Sequence, residues 1–309
     1  MTQGGGSGTT SGFQSPRGRP GRGPHLPKRP MTQLESPDLS APEALPNGKV
    51  TYRSGSGIAL LTLTNPPANG YSYEMMRDID EAVLRARFDD EVQVIVVAGE
   101  GEKFFCAGAD ISMLGSVTPT FKYAFCLHAN ETMLRLEHTP KLVIAALGGH
   151  CVGGGLEIAL ACDLRVARKG AGKCGLPEVA LGVLPGTGGT QRLSRVVGAS
   201  RSIELMASGR TFDYDEAEAL GIVDRQIEAA DDAAFLAEVL AYAGSFTTPN
   251  KASMSVGLIK RSVKTGMEVP LETGLALERE LQARLFSSHD AREGVAAFLE
   301  KRSPEFEGR

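Results

Sequence analysis

Glu157 and Glu178 stand 21 residues apart, and each follows a cluster of turn-forming residues, Gly153-Gly154-Gly155-Leu156 before the first and Gly175-Leu176-Pro177 before the second. A glycine triplet lets backbone approach a ligand with no Cβ in the way, and a helix opening behind it leaves amides unpaired. Such amides suit a developing oxyanion. A carboxylate one turn further on can handle protons beside it, and a second carboxylate lets one act as base and the other as acid. The pair points to acid-base chemistry on a carbonyl compound. An acid in a helix's first turn is also favoured by the helix dipole alone. Glu157, however, runs into Ile158-Ala159-Leu160-Ala161, and burying a carboxylate in such company is costly enough to mark function.

A second amide for the same cavity is available in Lys103-Phe104-Phe105-Cys106-Ala107-Gly108-Ala109-Asp110, from Ala109 or its neighbour. Two such donors form an oxyanion hole, worth about 3 kcal/mol each in the transition state. The stretch from Leu181 to Leu193 is glycine-rich and leads to a helix, but it contains no lysine and lacks the Gly-Lys-Ser/Thr ending of a phosphate loop, which excludes nucleotide hydrolysis. Its glycines let the loop pass close to substrate and to Glu178. Asp163, after Ala161-Cys162, reads as a structural turn or strand-start residue.

The elements that must hold these residues alternate. Val50 to Arg53 and Ile58 to Leu63 flank a Gly55-Ser56-Gly57 turn and read as a hairpin. Met75, Ile79, Ala82, Val83 and Ala86 fall at helical spacing, with Asp78 on another face, and Val92 to Ala98 follows as a buried strand. A helix near 120–137, a strand at 142–146, a helix from Gly154 and a strand at 164–167 repeat the order. Strands alternating with helices predict an α/β core with parallel pairing, whose sites collect on loops at strand carboxyl ends. Beyond residue 200 the pattern is helical, over 199–208, 231–246, 249–264, 270–286 and 291–301, with Gly221-Ile222-Val223 as one short strand-like interruption.

Three regions follow: a basic Gly/Pro-rich tail over 1–46, expected to be disordered; an α/β core with the active site over 47–200; and a mostly helical region over 201–309 that covers the core or builds an oligomer interface. The tail carries Arg17, Arg19, Arg22, Lys28 and Arg29 with no acid before Glu35, which raises a nucleic-acid arm or a transit peptide as readings. Its few cations are interleaved with Phe13 alone among aromatics, and it lacks an amphipathic helical pattern, so neither partner nor organelle is expected. The net charge of −4 gives no general basic surface. No apolar run approaches the roughly 18 to 20 residues of a membrane helix, and the expected location is the cytoplasm. Cys106, Cys126, Cys151, Cys162 and Cys174 form no Cys-x-x-Cys pair, and neither they nor the histidines have the spacing of a metal site.

Taken together, Ala107-Gly108-Ala109-Asp110, Gly153-Gly154-Gly155-Leu156-Glu157, Cys162-Asp163, Pro177-Glu178, Pro185-Gly186-Thr187-Gly188-Gly189-Thr190-Gln191-Arg192-Leu193 and Arg292-Glu293-Gly294 resemble the crotonase, or enoyl-CoA hydratase/isomerase, superfamily from about Val50 onward. The resemblance implies a spiral of ββα repeats with a C-terminal helical trimerisation region, assembled as a homotrimer or a dimer of trimers. It implies an acyl-CoA thioester as substrate, with coenzyme A part of that substrate and no separate cofactor, and a place in fatty-acid β-oxidation. The thioester oxygen is expected at the amides of Ala109 and Gly154. Glu157 and Glu178 match the catalytic carboxylates, and Ala107, Gly108, Asp110, Gly153, Pro185 and Gly186 match substrate-binding positions. Phe286, Phe298 and Lys301 match positions that contact CoA. Hydratases of this superfamily keep both carboxylates, whereas simple double-bond isomerases use the one matching Glu178, so hydration of a 2-enoyl-CoA leads and isomerisation follows. The chain departs from the common pattern at Gly149-His150, at one extra residue near Lys169 to Lys173, and at Asn69-Gly70.

Overall fold

The computed structural model describes Met1 and residues 37–309. Two sheets organise it. Strands β1 (Glu43–Ala44), β2 (Val50–Gly55) and β3 (Ile58–Leu63) pair antiparallel. β3 then continues in parallel register into β4 (Val94–Gly99), which pairs with β6 (Leu142–Leu147). β8 (Leu164–Arg168) and β11 (Arg225–Ile227) complete the parallel part. The smaller sheet places β5 (Phe104–Cys106), β7 (His150–Val152) and β9 (Lys173–Gly175) parallel, with β10 (Phe212–Asp213) antiparallel at its edge.

The sequence explains the central strands. Val94-Ile95-Val96-Val97-Ala98 and Leu142-Val143-Ile144-Ala145-Ala146 are continuous apolar runs of largely β-branched residues, the composition of parallel strands covered on both faces. Ile95 and Val97 belong to the main core with α1 (Tyr73–Phe88), whose Met75, Ile79, Ala82 and Val83 recur at the helical period. Val94, Val96 and Ala98 alternate with them and are buried too, on the strand against which α8 (Asp232–Gly244) packs with Phe235 and Val239. Ser72 caps α1 by accepting from the Met75 amide. Asp78, assigned by periodicity to a polar face, is buried instead, because it accepts bonds from Asn47 and from the Lys49 amide at 2.7–3.0 Å.

Three expectations change. Of the tail over 1–46, residues 2–36 lie outside the described residues, but residues 37–46 are built into the fold. Glu43 and Ala44 pair with Tyr52 and Thr51, Ser40 bonds Ser54, and Leu45 is buried, so the ordered part starts before position 47. The core also does not stop at residue 200: β11 extends the large sheet beside β8, and β10 closes the small one. Ile222 and Val223 are buried but lie in a turn hydrogen-bonded to Ala217, and the strand forms three residues later.

The last helices are α9 (Ser253–Gly266), α10 (Leu271–Phe286) and α11 (His289–Glu300). α9 and α10 pack mainly on each other. They leave Ile259, Val263, Met267, Leu271 and Phe286 exposed. One buried cation ties α9 to the core: Lys260 Nζ meets Asp163 Oδ2 at 2.8 Å and donates to the carbonyls of Leu136 and Lys141. Asp163 Oδ2 also accepts from the Val143 amide at 2.8 Å, which gives it the strand-start role read from sequence. Among the described residues no helix is long and apolar enough to cross a membrane.

Candidate active site

The three parallel strands of the small sheet release the chain, at their carboxyl ends, into three segments of one site. β5 leads to Ala107–Asp110, β7 to Gly153–Gly154, and β9 to Pro177 and Glu178. Pairing of Cys106 with Cys151 and of Cys151 with Cys174 sets the three exits side by side.

In the first segment the Tyr71 amide donates to Gly108 O at 2.9 Å and the Asp110 amide to Tyr71 O at 3.0 Å. Successive amides of extended chain point to opposite edges, so this bridge leaves the Ala109 amide on the far edge, with no acceptor among the described residues. Asp110 caps the short helix α2 (Ile111–Ser116) by accepting from the Ser112 and Met113 amides and from the Ser112 hydroxyl. That hydrogen bond from the Ser112 hydroxyl is the main reason its carboxyl lies below the usual range. Asn69, buried in the preceding turn, donates to Glu100 O and Phe104 O at 3.0 Å and so holds the β4–β5 connection.

The glycine triplet is dictated by contact. Gly153 adopts φ 56° and ψ −131°, a conformation residues with side chains rarely adopt, and a Cβ there would stand 3.0 Å from Glu178 Oε1. On Gly154 a Cβ would overlap the Tyr71 ring, and on Gly155 the Cys106 carbonyl. Gly153 caps α4 (Gly154–Ala161), and the Gly154 amide opens that helix with no acceptor among the described residues. A Cβ on Gly108 would lie 3.2 Å from that Gly154 nitrogen, so the segments carrying the two unbonded amides touch.

Glu157 sits in the first turn of α4, a helix buried at every residue, and is itself 1% exposed. Its Oε1 accepts from the Thr187 amide at 2.8 Å and the Gly189 amide at 2.7 Å, and its Oε2 accepts from the Thr187 hydroxyl. Gly189 opens α5 (Gly189–Val197), whose N-cap Gly188 has no side chain to offer, so the Glu157 carboxylate supplies the acceptor at a positive helix end. The glycine-rich loop passes Glu178, whose carbonyl accepts from the Val183 amide at 3.3 Å, and closes on the Glu157 carboxylate by a tight route: a Cβ on Gly189 would come within 3.0 Å of Glu157 Oε1 and 2.8 Å of Pro185. A Cβ on Gly186 would be 3.3 Å from Cys126 Sγ.

Glu178 opens a single 3-10 turn, Glu178–Leu181, behind Pro177. Its Oε2 is buried and has no hydrogen-bond partner among the described residues. Burial pushes its carboxyl up to about 7; its own backbone amide pulls the other way, Glu157's charge adds to the rise, and Lys122 opposes it. The two carboxylates thus have opposite surroundings, one held by three donors and one with a buried oxygen that no described residue bonds.

Phe286 and Phe298 lie on α10 and α11 with their rings exposed, and Lys301 caps α11 at φ 56°. The hydrogen bonds that assemble the Glu157–Glu178 site include none from these three residues. Two residues in contact with the site had no role in the sequence reading, Thr187 and Tyr71. Both are buried hydroxyls, Tyr71 OH lying 3.3 Å from Thr187 Oγ1. Their only signal in the sequence is a hydroxyl set among glycines and another behind Asn69-Gly70.

A parallel core with helical cover, a spiral of strand, strand and helix, and a pair of carboxylates beside unbonded amides at strand ends define a crotonase-type fold. The family model for enoyl-CoA hydratase/isomerase matches residues 53–309. A probable enoyl-CoA hydratase of Bacillus subtilis (strain 168) is 38% identical over 252 residues, covering 81% of this chain and 95% of that protein. The short-chain-enoyl-CoA hydratase of Clostridium acetobutylicum is 36% identical over 260 residues, covering 84% and 97%. The crystal structure of an enoyl-CoA hydratase from Geobacillus kaustophilus HTA426 superposes with a TM-score of 0.82 at 42% identity, over 88% of this chain and all of that one (100%). The chain belongs to the enoyl-CoA hydratase/isomerase family.

Proposed function

We propose that this protein is an enoyl-CoA hydratase, adding water reversibly across the double bond of a 2-enoyl-CoA to give a 3-hydroxyacyl-CoA. The observation that carries the reading is the split environment of Glu157 and Glu178 beside the unbonded amides of Ala109 and Gly154. The thioester oxygen is received by those two amides, which stabilise negative charge as it develops. Glu157 takes a proton from water as the water oxygen bonds to the β-carbon. Glu178, which burial keeps protonated up to about 7, gives its proton to the α-carbon of the enolate. The enzyme ends with its proton moved from Glu178 to Glu157, and exchange with solvent resets it. Coenzyme A is part of the substrate, and the chemistry uses no further cofactor.

In this reading Ala107, Gly108, Asp110, Gly153, Pro185 and Gly186 shape the substrate channel, and Phe286, Phe298 and Lys301 meet CoA in a soluble, cytoplasmic homotrimer or dimer of trimers built through the exposed apolar faces of α9 to α11. A double-bond isomerase would use Glu178 and leave unexplained a second carboxylate buried with three donors aimed at it. Incubating the protein with crotonyl-CoA and resolving the products decides between them. Formation of 3-hydroxybutyryl-CoA is expected; double-bond migration in a 3-enoyl-CoA without any hydration would contradict the reading.

A further inference from the structure

A carboxylate offers about four acceptor positions, two on each oxygen. Three of those on Glu157 are filled from within the chain. Oε1 takes the amides of Thr187 and Gly189, at 2.8 and 2.7 Å, and Oε2 takes the Thr187 hydroxyl. Among the described residues none fills the fourth position, on Oε2. Thr187 has a single hydroxyl proton and directs it at the carboxylate, so at the 3.3 Å contact between the two hydroxyls Tyr71 is the donor. The Tyr71 phenol is placed to keep that proton: burial, and then Glu157's charge, hold it well above its ordinary range.

Both hydroxyls are held rigidly. The Tyr71 ring stacks on Phe125 with centroids 5.7 Å apart, lies over Gly154 where no Cβ fits, and grows from a backbone bonded on both sides of Ala109. The Thr187 carbonyl accepts from Arg192 at 3.2 Å, and Arg192 is itself paired with Glu137 at 2.6 Å across two largely buried side chains.

We propose that Tyr71 and Thr187 are positioning residues for Glu157: their hydroxyls, acting in series, fix the carboxylate so that the open position on Oε2 receives the proton of the attacking water. This assignment rests on the hydratase reading. The Oε1 contacts come from backbone amides, which no side-chain substitution removes. The orientation of Oε2 depends on the two hydroxyls. A water proton passes to Oε2 while its oxygen bonds to carbon, and the Thr187 hydroxyl stays on that same oxygen throughout the step.

Thr187→Val keeps the size of the side chain and both backbone contacts and removes only the hydroxyl. Its kcat for crotonyl-CoA hydration is expected to fall by about tenfold or more, with KM within about twofold, the pattern of an interaction that matters in the transition state. Thr187→Ser should restore most of the rate, and Tyr71→Phe should lower kcat less than Thr187→Val does, since it acts one bond further away. A Thr187→Val enzyme within about twofold of the wild-type kcat would overturn the assignment, and so would a Thr187→Ser enzyme as slow as the valine variant. The carboxylate stretch of Glu157, isolated as the infrared difference between wild type and Glu157→Gln, reads the same contact without turnover. It should shift in Thr187→Val, and an unshifted band refutes the assignment. Should the wild-type protein hydrate no enoyl-CoA, the hydratase reading fails while the infrared comparison still decides the positioning role.

Discussion

Gly153 and Glu178 belong to different strands' exits and meet so closely that a Cβ on the glycine would lie 3.0 Å from Glu178 Oε1. The residue that caps the helix carrying Glu157 is therefore also the wall behind Glu178. One backbone position couples the two carboxylates.

Gly153→Ala tests that coupling. Alanine at φ 56° and ψ −131° is strained by about 1–3 kcal/mol, and its methyl pushes the Glu178 carboxyl from its place. We expect a protein that still folds, with a thermal midpoint lowered by several degrees and kcat down by about tenfold or more. Unchanged kcat with a lowered midpoint would separate the turn's geometry from the chemistry.

The pH profile reports on Glu178. Hydration starts with its proton in place, so kcat/KM should fall about tenfold per unit as pH rises beyond about 7. Dehydration starts with the same single proton resting on Glu157, a form of equal charge, so the alkaline limb should be the same in both directions. Rates measured from crotonyl-CoA and from 3-hydroxybutyryl-CoA between pH 5 and 9 check this.

The same carboxyl has a signature in stability. With its folded pKa at about 7 above an ordinary 4.5, the folded state holds a proton that the unfolded chain releases between those values. The protonated carboxyl's contribution is therefore fully present below 4.5 and is lost as pH rises through about 7. Glu178→Gln carries no charge to bury, so its thermal midpoint should match wild type at pH 4.5 and exceed it at pH 8. A constant difference across that range would show that Glu178 is not desolvated in the folded protein.

Lys260 should matter to stability and little to catalysis. Its removal leaves the largely buried Asp163 carboxylate with Lys264 Nζ, 3.7 Å from Oδ1, as its remaining cation, so the loss for Lys260→Ala should fall at the lower end of about 3–5 kcal/mol. Lys260→Met with Asp163→Asn removes both charges and should recover part of it. Chemical denaturation of the three proteins gives the comparison.

The sequence made some of this legible and hid the rest for physical reasons. The β2–β3 hairpin, β4, β6 and the amphipathic α1 carry periods long enough to read, and the apolar run of α4 marks Glu157 as an acid in the wrong company. Strands β5, β7 and β9 are three residues each, too short for any period, yet they set the three segments of the site side by side. β1 has two residues and looked like tail. Ile222-Val223 had strand composition, but the chain there turns, and Arg225-Gln226-Ile227 forms the strand because β8 offers it an edge. Thr187 is 30 residues from Glu157 and 116 from Tyr71, and no local pattern encodes contacts closed only by the packing of α4, α5 and the turn before α1.

The most direct test of the central claim, that two carboxylates divide one proton transfer, is the steady-state hydration of crotonyl-CoA by wild type, Glu157→Gln and Glu178→Gln at neutral pH. Each substitution should lower kcat by about 100-fold or more while crotonyl-CoA still binds, because each removes one half of the general acid-base pair and leaves the amides of Ala109 and Gly154 in place. Either variant hydrating crotonyl-CoA at close to the wild-type rate would contradict the account.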